Sequence, residues 1–502
     1  MPITRTVLDT AEHHPDQPAI VGDDGMLTYA QLVEDSRRMF AIVDSLHRAQ
    51  TTQPTPAADT SGIPITAVSI SSAFHTSRII AGLAGFRAVS ATVDPQWPLD
   101  HQIGVILSTG IGVVISDSTD LADGLTARGW TGTIITLAEF RQKEVSTVPA
   151  PGPTVRDGEE PFLLLFSSGT TSNPKAFLKT RHQYRENFAV SSAYLEPYAG
   201  VATLAPGPVS YSLTLYALIE CLASGGSAHV ADAFDPAALG RRIRDEKITR
   251  VVAVPAIVQT LVDAARRNPE SLATLELVVT GGANLPAILR TGLADVLPDV
   301  RLISYYGAAE IGFIGDSRGG DGTRISVYDG IRVSIRDDQG AEVSDGEPGT
   351  LWVHAASCSD GYLPGTTEAV LQGADGWATV NDQGRLIDGA LVLEGRAGDV
   401  AVTGGHKVSL PGVERAFDGM PQLGAVCAVA LAHERLGTVV ALVIEGEAPE
   451  KSELLARARR ELAPQFVPRR WYRMEHLPRT VGGKIRRPAV ADLVAHGEAV
   501  RL

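Results

Sequence analysis

Ser167 to Lys175 reads SSGTTSNPK and follows the apolar run PFLLLF, Pro161 to Phe166. Gly169 permits a tight turn. The hydroxyls of Ser167, Ser168, Thr170 and Thr171, with the backbone amides, are donors suited to phosphate oxygens, and Lys175 adds a cation. Taken alone, the same residues also describe a polar turn between a strand and a helix. The segment does not fit the G-x-x-x-x-G-K-[ST] nucleotide loop, because no Lys follows a second Gly. Further turns recur along the chain: GGANLP at 281–286, YYGAAE at 305–310, GRAGDVAVTGGHKVSLPGVE at 395–414 and LPRTVGGKIRR at 477–487. Within them, Glu310 is a hard oxygen ligand of the kind Mg²⁺ takes. Lys484 is a cation on a glycine loop, able to meet charge building up on a phosphate. By itself that last segment is equally a solvated basic loop.

These residues need a frame. Short β-branched runs alternate with helix-like segments: strands at Thr66–Ser71, Val113–Ser116, Thr133–Thr136, Pro161–Phe166, Val251–Val254, Leu277–Thr280 and Arg301–Tyr305, with a helical pattern around Arg78–Gly85. The continuous apolar run at Pro161–Phe166 marks a strand buried on both faces. Strands alternating with helices predict an α/β fold with mostly parallel sheets covered by helices. Gln50 to Pro64, rich in Thr, Pro and Ala, reads as an exposed loop. From about Gly322 short strands and turns follow one another, predicting a β-rich subdomain over about 322–395. After Gly395 mixed strands and two charged helices lead to the basic loop. The expected organisation is a large N-terminal domain, 1–395, and a small mobile α+β C-terminal domain, 396–502, with a hinge near 396–399.

Composition narrows the function. The 502 residues carry 44 Lys+Arg against 58 Asp+Glu, a net charge of −14, which argues against a nucleic-acid binder. Cys221, Cys358 and Cys427 are far apart and odd in number, so neither a zinc pattern nor a disulfide framework follows. The first residues lack the apolar run of a secretory leader, and no stretch approaches 18 apolar residues. A cytoplasmic protein without membrane contact is expected.

Taken in this order, the segments resemble the adenylate-forming superfamily of acyl-CoA synthetases, stand-alone adenylation domains and luciferases. The likeness runs from HHPDQPAI and LTYAQL near the N-terminus to the final lysine loop. It implies that a carboxylate attacks the α-phosphate of ATP, giving an acyl-adenylate and pyrophosphate, and that a thiol then displaces AMP. It implies Mg²⁺ and coenzyme A as further partners. The resemblance assigns Ser167, Ser168, Gly169, Thr170, Thr171 and Lys175 to the phosphates, with Gly281, Gly282, Ala283, Gly307 and Ala309 also in the nucleotide site. Tyr306 matches the aromatic on adenine, Glu310 the Mg²⁺ carboxylate, Arg396 the arginine on ribose and Lys484 the catalytic lysine. In WATVNDQGR, 377–385, anchoring on Trp377 and the Gly-Arg pair puts Asp382 at the ribose carboxylate. Gly404 and Gly405 match the border of the pantetheine tunnel, and Tyr211 the mouth of the acyl pocket.

The chain departs from this pattern in several places. Ala309 stands where Thr or Ser is usual, Val380 and Asn381 replace Thr and Gly, Ser172 replaces Gly, and Gly398 takes the hinge position. A hydrogen bond to a charged group contributes about 1.5–3 kcal/mol. Losing the hydroxyl at Ala309 therefore predicts an adenylation step weakened roughly 10–100-fold. The expected function is an acyl-CoA ligase. Its alternatives are a specialised ligase that takes an acyl-adenylate from a separate adenylating enzyme, an adenylation enzyme loading a carrier protein, and a non-catalytic nucleotide-binding scaffold. No Asp occurs in VSYSLTLY, 209–216, which disfavours an amino-acid substrate.

Overall fold

The computed structural model describes residues 3–50, 60–167, 175–283, 285–320, 322–403, 406–433, 437–462, 464–480 and 483–502. Three sheets organise them. In the first, Thr133–Ile135, Ile111–Ser116, Ile65–Ser69, Val89–Thr92 and Pro161–Ser167 run parallel in that order. Ile111 to Ser116 and Ile65 to Ser69 are buried at every position, because helices cover both faces of the sheet.

Lys175–Thr180 closes this sheet as an antiparallel strand, with Leu164 opposite Leu178 and Ser167 opposite Lys175. Read alone as a polar turn, the loop would lead into a helix, and the chain forms a strand there instead. Ala176 and Phe177 are fully buried against the sheet, so β pairing wins over helix formation. The helix begins only at Arg181–Tyr194, where Thr180 and Gln183 form a reciprocal capping box.

The second sheet has 13 strands. Its central strands, Ala202–Ala205, Arg250–Ala253, Leu277–Thr280 and Arg301–Ala308, are parallel. The chain then reverses into Gly312–Ser317, and antiparallel pairing continues through Arg324–Val327, Ala390–Arg396, Asp382–Ile387, Gly349–His354 and Arg332–Arg336. The β-rich stretch thus extends the large sheet. Arg301–Ala308 runs three residues beyond the expected end at Tyr305 because this reversal supplies a second partner strand.

The third sheet is smaller. Gly437–Glu445 is its centre, antiparallel to Val426–His433 and parallel to Arg470–Met474. Helices Leu410–Arg415, Lys451–Glu461 and Arg487–Ala495 accompany it, one more than expected. Leu410–Arg415 escapes a periodicity reading because it is so short and carries Pro411 in its first turn. Arg487 ties this unit together: Nε donates to Asp399 Oδ1 at 2.6 Å, and Nη1 donates to Glu414 and to the Ala428 carbonyl. Arg487→Met removes the shared donor and leaves two carboxylates without their cation. Unfolding in denaturant is expected to show a loss of about 2 kcal/mol, read from the transition midpoint.

Candidate functional site

The candidate residues converge where the parallel half of the large sheet gives way to its antiparallel half. Tyr306 lies near the end of Arg301–Ala308, at a bulge between Tyr306 and Gly307. Gly307 is required there, since a Cβ would lie 2.5 Å from the Gly312 carbonyl oxygen. Asp382 and Arg396 are Cα partners on the hairpin Asp382–Ile387 and Ala390–Arg396. Tyr306 Oη donates to Asp382 Oδ2 at 2.6 Å, and Arg396 Nε donates to Asp382 Oδ1 at 3.1 Å. Burial raises the carboxyl pKa and the Arg396 charge opposes that rise. The Tyr306 hydroxyl is pushed well up by burial and by the Asp382 charge, so it stays a donor. A carboxylate has about four lone-pair positions. Two donors therefore leave Asp382 acceptor capacity, which suits a diol.

Asn381, just before Asp382, has φ 64°. Its backbone amide donates to Thr379 Oγ1 at 3.0 Å. Asn adopts the left-handed region more readily than most residues with a Cβ. The replacement of a usual Gly by Asn381 therefore keeps the turn that presents Asp382.

Glu310 sits in the reversal between Arg301–Ala308 and Gly312–Ser317, and is 6% exposed. Tyr362 Oη donates to its Oε1 at 2.9 Å. Lys175 Nζ stands 5.0 Å from the centre of the Tyr362 ring. Ala309 packs beside the apolar core and supplies no hydroxyl to this region. Gly281 to Ala283 follow Leu277–Thr280, and a Cβ on Gly281 would come within 2.3 Å of Tyr305 Cζ. The Tyr305 ring thus rests directly on that backbone.

Lys484 enters from the small unit. Its backbone amide donates to Thr480 Oγ1 at 3.2 Å, and its carbonyl accepts from the Thr480 amide at 2.7 Å. The side chain is open to solvent at the rim, yet close enough to Asp382 and Arg396 to feel both charges. Crowding by protein lowers its pKa, Arg396 lowers it further, and Asp382 pulls it back up.

Tyr211 lies outside this network. It is the residue capping Ser212–Ser224, not a member of that helix. Its hydroxyl is raised to about 12 by burial and by nearby Asp94. Asp94 was invisible to a search confined to VSYSLTLY. Its oxygens are already committed, to the Gln96 amide at 2.8 Å and to the Ser210 hydroxyl at 3.0 Å. Ser168, Gly169, Thr170, Thr171, Ser172, Gly404 and Gly405 lie outside the described residues.

Lys179 is the participant that motif reading missed. It is 3% exposed, and Nζ donates to the carbonyls of Glu310 at 2.7 Å and Ser357 at 2.6 Å. Burial lowers its pKa to about 8, with Cys358 and Glu310 opposing the drop. Its signal in sequence was slight: a second lysine, after AFL, in the strand KAFLKT. Lys179→Met leaves both carbonyls without this donor and frees the Glu310 backbone. We expect stability to fall by about 2 kcal/mol and adenine-nucleotide affinity, read by titration calorimetry, to fall about tenfold. Unchanged affinity in the folded variant would limit Lys179 to holding the fold.

Known proteins resemble this chain. The model of the family described as AMP-binding enzyme matches residues 76–363, more than half of the chain. The chain is 27% identical over 500 residues to the acyl–CoA ligase YhfT of Bacillus subtilis, covering 98% of each. It is 26% identical over 401 residues to an indoleacetate–CoA ligase of Aromatoleum aromaticum, covering 76% of this chain and 75% of the relative. Among solved structures, ATP-bound MatB from Rhodopseudomonas palustris matches in fold with a TM-score of 0.85 at 18% identity, covering 98% of both chains. The anthranilate CoA ligase AuaEII matches at 0.85 and 17% identity over 98% of this chain and 97% of that one. No helix among the described residues is long and apolar enough to cross a membrane. With its model match and with the Tyr306–Asp382–Arg396 constellation in place, the chain belongs to the AMP-binding enzyme family, the adenylate-forming ligases that join an acid to a thiol.

Proposed function

We propose that the protein is an acyl-CoA ligase that makes an acyl-adenylate from a carboxylic acid and ATP and passes the acyl group to the CoA thiol. The observation that carries this reading is one carboxylate engaged by Tyr306 and Arg396, with Lys484 in electrostatic reach of it. In this reading Tyr306 packs on adenine while Asp382 and Arg396 hold the ribose hydroxyls. Ser167, Lys175 and the loop between them cradle the phosphates. Lys484 approaches the α-phosphate as the acid oxygen attacks, and pyrophosphate leaves.

Mg²⁺ fits the residues present. Among the described residues no cluster of three or more His, Cys, Asp or Glu could hold an ion by itself. Mg²⁺ commonly takes one or two carboxylates together with substrate phosphates. Glu310, its carboxylate steadied by Tyr362, would be the protein's contribution, and the ion would neutralise charge on the phosphates. For the second step, residues 396–502 act as a mobile domain with Gly398 at the hinge. Gly404 and Gly405 then border the path of the CoA thiol.

Two experiments test the division of labour. Lys484→Ala should cut pyrophosphate release by at least about a thousandfold, in the range set by loss of a transition-state charge contact. Turnover of a supplied acyl-adenylate with CoA should change much less, and equal loss in both half-reactions would overturn the role given to Lys484. Ala309 supports adenylation as the weaker half-reaction. Ala309→Thr should raise acid-dependent pyrophosphate exchange roughly tenfold and leave the thiol step nearly unchanged. Rapid exchange by the unmodified enzyme, with no gain from the added hydroxyl, would show an ordinary two-step ligase. Complete absence of exchange would favour use of an adenylate made elsewhere.

A further inference from the structure

Residues 357–366 carry none of the motif positions, yet they are fastened to two parts of the site. Toward the strand Lys175–Thr180, the Leu363 amide donates to the Ala176 carbonyl at 2.7 Å and the Ser359 hydroxyl to the Leu178 carbonyl at 2.9 Å. Tyr362 forms an antiparallel bridge with Phe177 of the same strand. Toward the reversal that carries Glu310, the Ser359 amide donates to the Glu310 carbonyl at 2.8 Å. The Ser357 hydroxyl donates to the Ile311 carbonyl at 2.8 Å.

The side chain of Tyr362 is where these two attachments meet. Its ring packs edge-to-face on Phe177 at 6.4 Å, and Lys175 Nζ stands over it, 5.0 Å from the centre. Its hydroxyl donates to Glu310 Oε1 at 2.9 Å. Burial and the Glu310 charge push the hydroxyl pKa up, so it stays protonated and keeps donating. The two contacts draw on different parts of one residue. A ring face attracts an ammonium without neutralising it, so the N–H donors of Lys175 remain available to phosphate oxygens. The hydroxyl takes one acceptor position of the Glu310 carboxylate and leaves the rest for a cation and its waters.

We propose that Tyr362 is a positioning residue with two separable tasks: its ring holds the Lys175 ammonium ready for the phosphates of ATP, and its hydroxyl aims the Glu310 carboxylate at the Mg²⁺ that accompanies them. The bridge to Phe177 and the Ser359 bonds set the ring between the two charges, so one side chain aligns a cation and an anion from different sheets. This inference rests on the reading of Glu310 as the Mg²⁺ carboxylate. Groups that orient a metal-holding carboxylate typically change metal affinity by about 10–100-fold when removed.

The test is calorimetric titration of the full chain with ATP, in EDTA and across a series of Mg²⁺ concentrations. No acid is present, so nothing turns over. Tyr362→Phe keeps the ring and loses the hydroxyl. Its ATP affinity in EDTA should stay within about twofold of the unmodified protein, while the Mg²⁺ concentration that half-saturates the gain in affinity should rise at least about tenfold. Tyr362→Leu loses the ring as well, and its ATP affinity in EDTA should fall about three- to tenfold, a loss that Phe at the same position rescues. Thermal unfolding of each variant checks the fold, and Tyr362→Phe alone tests the hydroxyl if the leucine variant does not fold. An unaltered Mg²⁺ requirement in Tyr362→Phe would overturn the inference while leaving the ligase reading intact. So would equal loss of affinity with and without Mg²⁺ in that variant, which would make Tyr362 a packing residue, or full ATP affinity in EDTA for a folded Tyr362→Leu. An unmodified protein whose ATP affinity ignores Mg²⁺ would sink the role of Glu310 and the inference with it.

Discussion

A carboxylate that burial disfavours sits where the large sheet changes sense, and the Tyr306 and Arg396 donors oppose that effect of burial. Asp382 reaches its place by antiparallel pairing with the strand that carries Arg396, so the two side chains meet because of sheet register. Tyr306 comes from a strand that is parallel to one neighbour and antiparallel to the other, and it meets Asp382 on the antiparallel side of the sheet. Shift that hairpin by one residue and each side chain turns to the opposite face. The donors would then separate from the carboxylate, which in an apolar setting takes up a proton instead of holding a charge.

The reversal that brings Tyr306 to Asp382 also exposes backbone groups that need partners. Lys179 meets one of them, the Glu310 carbonyl, and also bonds the Ser357 carbonyl from a separate loop. Asn187 meets another through the Phe313 amide, at 2.9 Å. Close packing leaves no room for bulk at this corner: a Cβ on Gly312 would lie 2.4 Å from Asn187 Oδ1. The buried cation thus does for a turn what ladder bonds do for a strand. That explains why a charge is tolerated in a buried position.

Motifs made the order of the site readable, but the partners that hold it were not. Asp382 could be located by anchoring on Trp377 and Gly384-Arg385, because local spacing survives folding. From residue type alone the replacement of Gly by Asn381 has no readable sign, and its backbone angle shows that the turn is kept. The strand Leu277–Thr280 was legible from its β-branched run, whereas Lys175–Thr180 was not read as a strand, because its pairing with Pro161–Ser167 is a tertiary event. Lys179 and Tyr362 were illegible for the same reason. Each meets Glu310 across a contact that no short window contains.

Arg487 is three residues beyond Lys484 and is bonded to Asp399, which follows Arg396 after only Ala397 and Gly398. The lysine turn and the point where the chain enters the small sheet are therefore braced into one rigid piece. On the other side, Arg396 is fastened to the large sheet by its pairing opposite Asp382. Only Ala397 and Gly398 separate these two fixed points in the sequence, and a Cβ on Gly398 would meet nothing within 4 Å, so no neighbour demands a glycine by crowding at that position.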